Sequence, residues 1–519
     1  MEEQKELSKS LRLLARSSVI VFVGLALSKI IIYLYRIITA RYFGPEVYGL
    51  FSLAVMISAL FASFSAFGLS EGLLRYVSLF LGRKQTNKIR YSVRMVAAVV
   101  SISSIVAGVI LFFFAEIIAV GIFHDSSLVL FLRIFAFSVP LAAIANVLLL
   151  TLRAYEEIQW FSFITNILRN LAKLLLLIAF IALGVKSSGV AFSYVLGLAI
   201  MLLVSYYVMK YKVSKLWLSQ DLPKKERKEI MRTIVAYSLP LVFVSVIQSS
   251  TFWADSFFLG YFKTAREVGF YAAALPIATL LSIVPELFMQ LLFPMITKHY
   301  AKNKLDLMRE LTKQIMKWII LLNLPLLILI FIFPDIALKI LFGNEYLIAA
   351  NALRLLAGSI FIASVFSTLS YHLMLSLGKS RLILFNSVAA MVVSIFLNYF
   401  LIPLERIGPL NNVNGLSGAA LSALLTSVFL GTLLLVETRF SLHFIPLHKK
   451  TVRIIFVALV SALALFYIQQ QLSDSIFIVC VLSILFLFGY GVLILVTRCL
   501  DTHDFYILRV IKNKIRHRV

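Results

Sequence analysis

Acidic side chains are scarce in this sequence, as are charged side chains of any kind. Asp and Glu number 24 against 49 Lys and Arg, and charged residues are 14% of the 519. A soluble domain carries about 25%. That shortage excludes an ordinary soluble globular fold. Only Cys480 and Cys499 occur, both in or beside apolar stretches, which excludes a disulfide framework and a cysteine metal site. Paired carboxylates, a phosphate-cradling glycine loop and a Ser/His/Asp set placed for chemistry are missing too, so an enzyme is not expected. The N-terminal MEEQKELSKSLRLLARSS has no small-residue cleavage site. The first apolar run is therefore expected to stay as an anchor.

What is abundant is apolar. Hydrophobic residues make up 61%, arranged in long runs separated by short polar ones. A bilayer-crossing helix needs about 20 such residues. Backbone facing lipid must satisfy its own hydrogen bonds, so the runs must be helices. Spans are read near 17–40, 48–70, 92–115, 128–150, 159–183, 188–209, 234–260, 268–293, 315–337, 354–377, 381–403, 416–436, 451–470 and 475–498. The expected fold is an all-α polytopic membrane protein of about fourteen spans.

An even count puts both termini on one side. The net charge of +25 tests this. Lys210, Lys212, Lys224, Lys225, Arg227, Lys228 and Arg232 crowd one connection. Lys298, Lys302, Lys304, Arg309, Lys313 and Lys317 lie in another on the same side. The opposite loops hold few cations, such as Arg41, Lys186 and Lys263. By the positive-inside bias the termini are cytoplasmic, in a cell (plasma) membrane. The excess charge is a topology and lipid-headgroup signal, and nucleic acid is not an expected partner.

The chain also repeats. Arg36–Ser52 reads RIITARYFGPEVYGLFS and Asp255–Ala272 reads DSFFLGYFKTAREVGFYA. Tyr42-Phe43 aligns with Tyr261-Phe262, and Gly49 with Gly269 after a one-residue offset. Both segments leave one span and enter the next, and the first and seventh spans cross in the same direction. That implies a parallel repeat of six helices. The expected organisation is a lobe at 1–209, a basic cytoplasmic linker at 210–231, a second lobe at 232–436, and two further helices with a basic tail at 437–519.

Seven charged residues fall well inside the runs, away from their end turns: Lys29, Arg36, Arg133, Arg169, Lys173, Asp255 and Glu286. Facing lipid at mid-span they would together cost about 15–25 kcal/mol, so they are expected to face a cavity or one another. Helical spacing agrees. Lys29 and Arg36 are seven apart. Asn166, Arg169, Asn170 and Lys173 follow i, i+3, i+4, i+7. Gln248, Thr251 and Asp255 make a similar stripe, and Glu286 and Gln290 are four apart. The first lobe thus offers cations and the second carboxylates. Cations suit an anionic substrate, because Arg and Lys hold phosphate through charge-assisted hydrogen bonds. Lys29, Arg36, Arg133, Asn166, Arg169, Asn170 and Lys173 are the candidate substrate-binding residues. Asp255 and Glu286 are the candidate ion-coupling residues; Asp255 could instead pair with Arg36. No cofactor is expected beyond a coupling cation such as sodium or a proton. His372, alone in an apolar run, reads as a packing residue. Pro140, Pro240, Pro276, Pro285 and Pro325 permit kinks in the spans.

The stretch Ala40–Ser78, ARYFGPEVYGLFSLAVMISALFASFSAFGLSEGLLRYVS, resembles the N-terminal signature of the polysaccharide-transporter family. These are the O-antigen and oligosaccharide flippases of the multidrug/oligosaccharidyl-lipid/polysaccharide superfamily. The matching elements are Arg41, Phe43-Gly44-Pro45, Glu46-Val47-Tyr48-Gly49, Phe67-Gly68-Leu69 and Arg75-Tyr76. The resemblance implies a V-shaped bundle working by alternating access on a glycan carried by a polyprenyl phosphate or pyrophosphate. Partners would be that lipid-linked glycan, the bilayer and glycan-synthesis enzymes, with the chain acting as a monomer. A lipid-linked peptidoglycan-precursor flippase and a multidrug exporter of the same superfamily are the alternatives. Such exporters favour cationic drugs, which the cations of the first lobe oppose. A membrane glycosyltransferase would need a carboxylate pair that the short loop RYFGPEVYG lacks.

Overall fold

The computed structural model describes residues 2–213, 222–289, 296, 305–404, 415–444, 448–472 and 475–500, the side chains of 2–26 and 307 excepted. Every regular element among them is helical. In chain order the α-helices are α1 (Glu2–Ser65), α2 (Leu69–Gly82), α3 (Thr86–Glu116), α4 (Leu128–Ala136), α5 (Ser138–Ala154), α6 (Ile158–Ser162), α7 (Arg169–Ala182), α8 (Ser188–Lys212) and α9 (Lys224–Phe262). There follow α10 (Ala265–Thr279), α11 (Leu305–Ile332), α12 (Pro334–Leu341), α13 (Ala350–Ile362), α14 (Thr368–Ser376), α15 (Ser380–Leu401), α16 (Gly415–Leu442), α17 (Thr451–Gln470) and α18 (Ile476–Val496). A π-helical turn, Phe163–Leu168, joins α6 to α7.

Thirteen stretches among the described residues are long and apolar enough to cross a bilayer. The first, Leu27–Ser65, has 39 residues. That is about 58 Å of helix, against about 30 Å of hydrocarbon. It breaks at Gly44, whose φ of 81° and ψ of 174° are non-helical. Counted on both sides of that break, thirteen becomes the expected fourteen. The protein is an all-α, multi-pass membrane protein. Residues Ile102, Ile105, Val109 and Phe113 of α3 are exposed at helical spacing, as a lipid-facing stripe requires.

Three helices start well before the apolar run they carry. α3 begins at Thr86, α9 at Lys224 and α11 at Leu305, where the runs begin near 92, 234 and 315. A helix continues above the hydrocarbon wherever its polar residues meet water, so hydropathy marks the span and not the helix. This corrects one expectation. Lys317, read from sequence as a residue of a basic connection, is fully buried within α11. The second half of the chain therefore does hold a buried cation. Lys298, Lys302, Lys304 and Gln290 lie outside the described residues.

Packing groups the chain into two compact units, Met1–Ala273 with Asn398–Leu416, and Ala274–Leu397 with Ser417–Val519. This grouping places α9 with the N-terminal helices, whereas the six-plus-six division follows the repeat. The first unit's core is built by Leu73 and Val77 of α2, Val96 and Val100 of α3, Leu149 and Leu152 of α5, and Met201 of α8. The second unit's core joins Ile315 and Ile319 of α11 to Leu369 and Leu373 of α14 and to Ile454 of α17.

The two segments aligned as a repeat meet within the first unit. A Cβ on Gly49 would overlap the carbonyl oxygen of Ala265, and one on Gly269 would overlap that of Pro45. Position 45 faces 269 while 49 faces 265, the reciprocal pattern of a two-fold contact. The remaining signature residues also shape the backbone. Phe67 and Gly68 both take positive φ, 47° and 61°, which ends α1 and turns the chain into α2. Gly68 and Gly72 let α2 approach Ser238 of α9. The Arg75 guanidinium lies 4.3 Å from the Tyr237 ring centroid.

Candidate functional site

The cations of the first unit converge where α1 packs on α7 and on the π-helical turn before it. A π-turn inserts an extra residue into the helix, and such turns recur at functional sites. This one immediately precedes Arg169.

Asn170 is fully buried. Its Nδ2 donates to Ser28 Oγ of α1 at 3.0 Å and to the Asn166 carbonyl at 2.8 Å. Asn166 Nδ2 donates to Ser162 Oγ at 3.2 Å. Among the described residues, Asn170 Oδ1 and the buried Nε of Arg169 have no hydrogen-bond partner.

Lys173 is 8% exposed. Its Nζ sits 5.3 Å from the Tyr35 ring centroid and 5.1 Å from that of Tyr194. Aromatic faces around a desolvated ammonium are worth about 2 kcal/mol or more to its charged form, which offsets only part of that form's burial cost. Tyr35 Oη contacts Ser193 Oγ at 3.1 Å and donates to the Val190 carbonyl at 3.2 Å. Gly197 makes the room: a Cβ there would lie 2.5 Å from Lys173 Cγ.

Arg36 and Arg169 are half-buried and lie within electrostatic reach of Lys173. Arg36 also lies within electrostatic reach of the Tyr48 hydroxyl, which donates to the Ala272 carbonyl at 3.1 Å. Lys29 is partly buried one turn below Tyr33. No carboxylate pairs with Lys29, Arg36, Arg169 or Lys173 among the described residues. The half-buried guanidinium groups of Arg36 and Arg169 have the chemistry to hold an anion through charge-assisted hydrogen bonds.

Arg133 stands apart. It is exposed, 3.6 Å from Glu116 of α3, and its guanidinium lies 5.9 Å from the Phe112 ring centroid.

Asp255 does not pair with Arg36. Its Oδ2 accepts from Tyr271 Oη at 2.7 Å and its Oδ1 from Asn398 Nδ2 at 2.8 Å. Tyr271 and Asn398 are fully buried. The carboxylate is thus held by neutral donors, and a cation could approach without displacing an ion pair. Glu286, in the second unit, is exposed and accepts from Ser282 Oγ at 2.9 Å.

Sequence spacing missed the residues that hold these groups: Ser28, Tyr35, Tyr48, Ser193, Tyr194, Tyr271 and Asn398. Asn398 carried a signal, as a lone amide in an apolar span. Glu437 was missed as well. It falls within α16 and accepts from the fully buried Asn386 at 2.7 Å.

A family model described as polysaccharide biosynthesis protein matches residues 14–300. The chain belongs to the polysaccharide biosynthesis protein family. Within that family match lie the signature segment, the cation cluster and Asp255. A second model, MatE, matches residues 240–400. Among curated relatives, an uncharacterised membrane protein of Methanocaldococcus jannaschii is 21% identical over 508 residues, 94% of this chain and 96% of that protein. The probable low-salt glycan biosynthesis flippase Agl15 of Haloferax volcanii is 26% identical over 179 residues, 34% of this chain and 38% of that protein. Among solved structures, the lipid II flippase MurJ in an inward closed conformation matches with a TM-score of 0.71 at 12% identity, covering 92% of this chain and 98% of that one. An inward-facing multidrug resistance MATE family transporter matches with a TM-score of 0.64 at 16% identity, over 82% and 98%. At such identities these structures speak for a shared fold.

Proposed function

We propose that this member of the polysaccharide biosynthesis protein family is a flippase. It moves a glycan linked to a polyprenyl phosphate or pyrophosphate from the cytoplasmic to the outer leaflet by alternating access. The observation that carries the reading is the cluster of Lys29, Arg36, Arg169 and Lys173, partly to deeply buried and unneutralised by any carboxylate among the described residues. Arg36 and Arg169, half-buried, take the anionic phosphate. Lys173, enclosed by Tyr35 and Tyr194, sets the positive potential behind them. The polyprenyl tail stays in lipid while the polar head crosses against protein, which spares it the cost of entering hydrocarbon. Asp255, with Tyr271 and Asn398, binds the coupling cation. Glu286, exposed beside Ser282, is the weaker candidate for that role. The chain sits in the plasma membrane with both termini cytoplasmic, acts as a monomer and forms no bond with its substrate.

The likeness to Agl15, a probable low-salt glycan biosynthesis flippase, supports this reading over 179 residues. The second reading is a carrier of a peptidoglycan precursor, to which the MurJ-like fold is equally suited. Deleting the gene separates the two. The reading expects a lipid-linked oligosaccharide to accumulate on the inner side with loss of surface glycan. Accumulated peptidoglycan precursor would favour the second reading. No accumulation and no surface-glycan defect would refute both.

A further inference from the structure

The first unit holds a second group of arginines, away from the buried cluster. Arg90 and Arg94 are four apart on α3 and share a face. Arg227 stands in the first turn of α9. The three line one cavity of about 360 Å³, together with Asn87, Tyr91 and Met95. Ligand sites run from about 300 to 1,000 Å³, so a small headgroup fits. Arg227 Nε donates to the Leu222 carbonyl at 2.6 Å, which fixes its guanidinium at the wall. Arg90 Nε is buried with no hydrogen-bond partner among the described residues. The nearby Glu226 lines an adjoining cavity with Lys84 and Lys88, and not this one.

The depth of the cavity matters. α3 has 31 residues and α9 has 39, about 46 and 58 Å of helix. Both exceed the hydrocarbon thickness of about 30 Å, and both start with polar turns. Arg90 and Arg227 precede the apolar runs that begin near 92 and 234, and Arg94 stands in the first turn of its run, the end of a span at which a bilayer's phosphates would meet the helix. Guanidinium groups match phosphate in charge and in forked geometry, while Tyr91 and Met95 offer an apolar wall.

We propose that Arg90, Arg94 and Arg227 form a binding site for a phosphate-bearing anion, distinct from the transport cluster. Two sources share that chemistry, an anionic phospholipid headgroup and free inorganic phosphate. The test measures binding to the full-length protein in neutral detergent. The probes are dioctanoyl phosphatidylglycerol, dioctanoyl phosphatidylcholine and inorganic phosphate. Saturable phosphatidylglycerol binding should weaken at least tenfold in R90Q/R94Q/R227Q. It should stay within twofold in R83Q/K225Q/K228Q, which removes as many charges from exposed positions. Phosphatidylcholine should bind weakly in all three proteins. The same variant pattern with inorganic phosphate alone would assign the site to a free anion. No saturable binding of either anion, or equal loss in both triple variants, would overturn the proposal. If R90Q/R94Q/R227Q does not fold, R90K/R94K/R227K and R94Q carry the test. Both should bind several-fold more weakly, and unchanged binding in both would overturn it.

Discussion

Lys173 Nζ lies 5.1 Å from the ring centroid of Tyr194, so a lysine in an apolar span is held by aromatic faces with no carboxylate beside it among the described residues. Packing and charge at this position can be separated by mutation. Lys173→Met keeps most of the volume and removes the charge. Transport should fall at least tenfold with normal protein levels in the membrane. Tyr194→Phe keeps the aromatic face and should stay near wild type. Tyr194→Leu should lose about 0.5–2 kcal/mol of the cation–π contribution, read as a lower Tm of the purified protein.

Gly197 and Lys173 are expected to be coupled. Gly197→Ala places a methyl 2.5 Å from Lys173 Cγ, and overpacking of that kind costs about 1–3 kcal/mol. Removing the lysine stem makes room. The double variant G197A/K173A should therefore be more stable than the sum of the single effects, in a thermal-unfolding cycle of the four proteins. Additivity would mean that the two do not share this space.

The repeat contact offers a sharper contrast. Gly49→Ala or Gly269→Ala drives a methyl into the facing backbone, which cannot yield as a side chain would. Either change should abolish accumulation of folded protein, measured by monodisperse elution in detergent. Gly489→Ala and Gly491→Ala, where a Cβ meets nothing within 4 Å, should leave it unchanged.

The two outlying charged sites are expected to behave differently. Arg133 faces Glu116 on an exposed surface, where ion pairs contribute about 0–1 kcal/mol, so Arg133→Gln should keep transport within about twofold. Asp255→Asn preserves shape beside Tyr271 and Asn398 but removes the charge. Transport by this variant should lose its dependence on the cation gradient while the protein stays folded. Retained gradient dependence would remove Asp255 from the coupling role.

The spans and the spacing of the polar stripe were legible in the sequence because both follow from helical period and bilayer thickness. Gly44 was readable as a turn, whereas the Gly49–Gly269 alignment was read as a repeat and gave no sign that the two segments touch. Helix starts were not legible, since polar residues continue a helix beyond the hydrocarbon without any apolar signal. Lys317 was misplaced for that reason. The partners of each charge were also hidden. Tyr35, Tyr194 and Ser28 look like ordinary residues of apolar runs until packing of α1 on α7 and α8 brings them to Lys173 and Asn170. The carboxylate of Asp255 stood out, but its donors came from Tyr271 and Asn398, the latter 143 positions away.

The most direct test of the cationic cluster is leaflet transfer by the purified protein in liposomes loaded with its lipid-linked glycan. Wild type is compared with R36Q/R169Q, which leaves the caged Lys173 in place. The double variant should fold, insert and show at least a tenfold lower initial rate. Transfer at the wild-type rate, with equal amounts of protein in the membrane, would contradict the account.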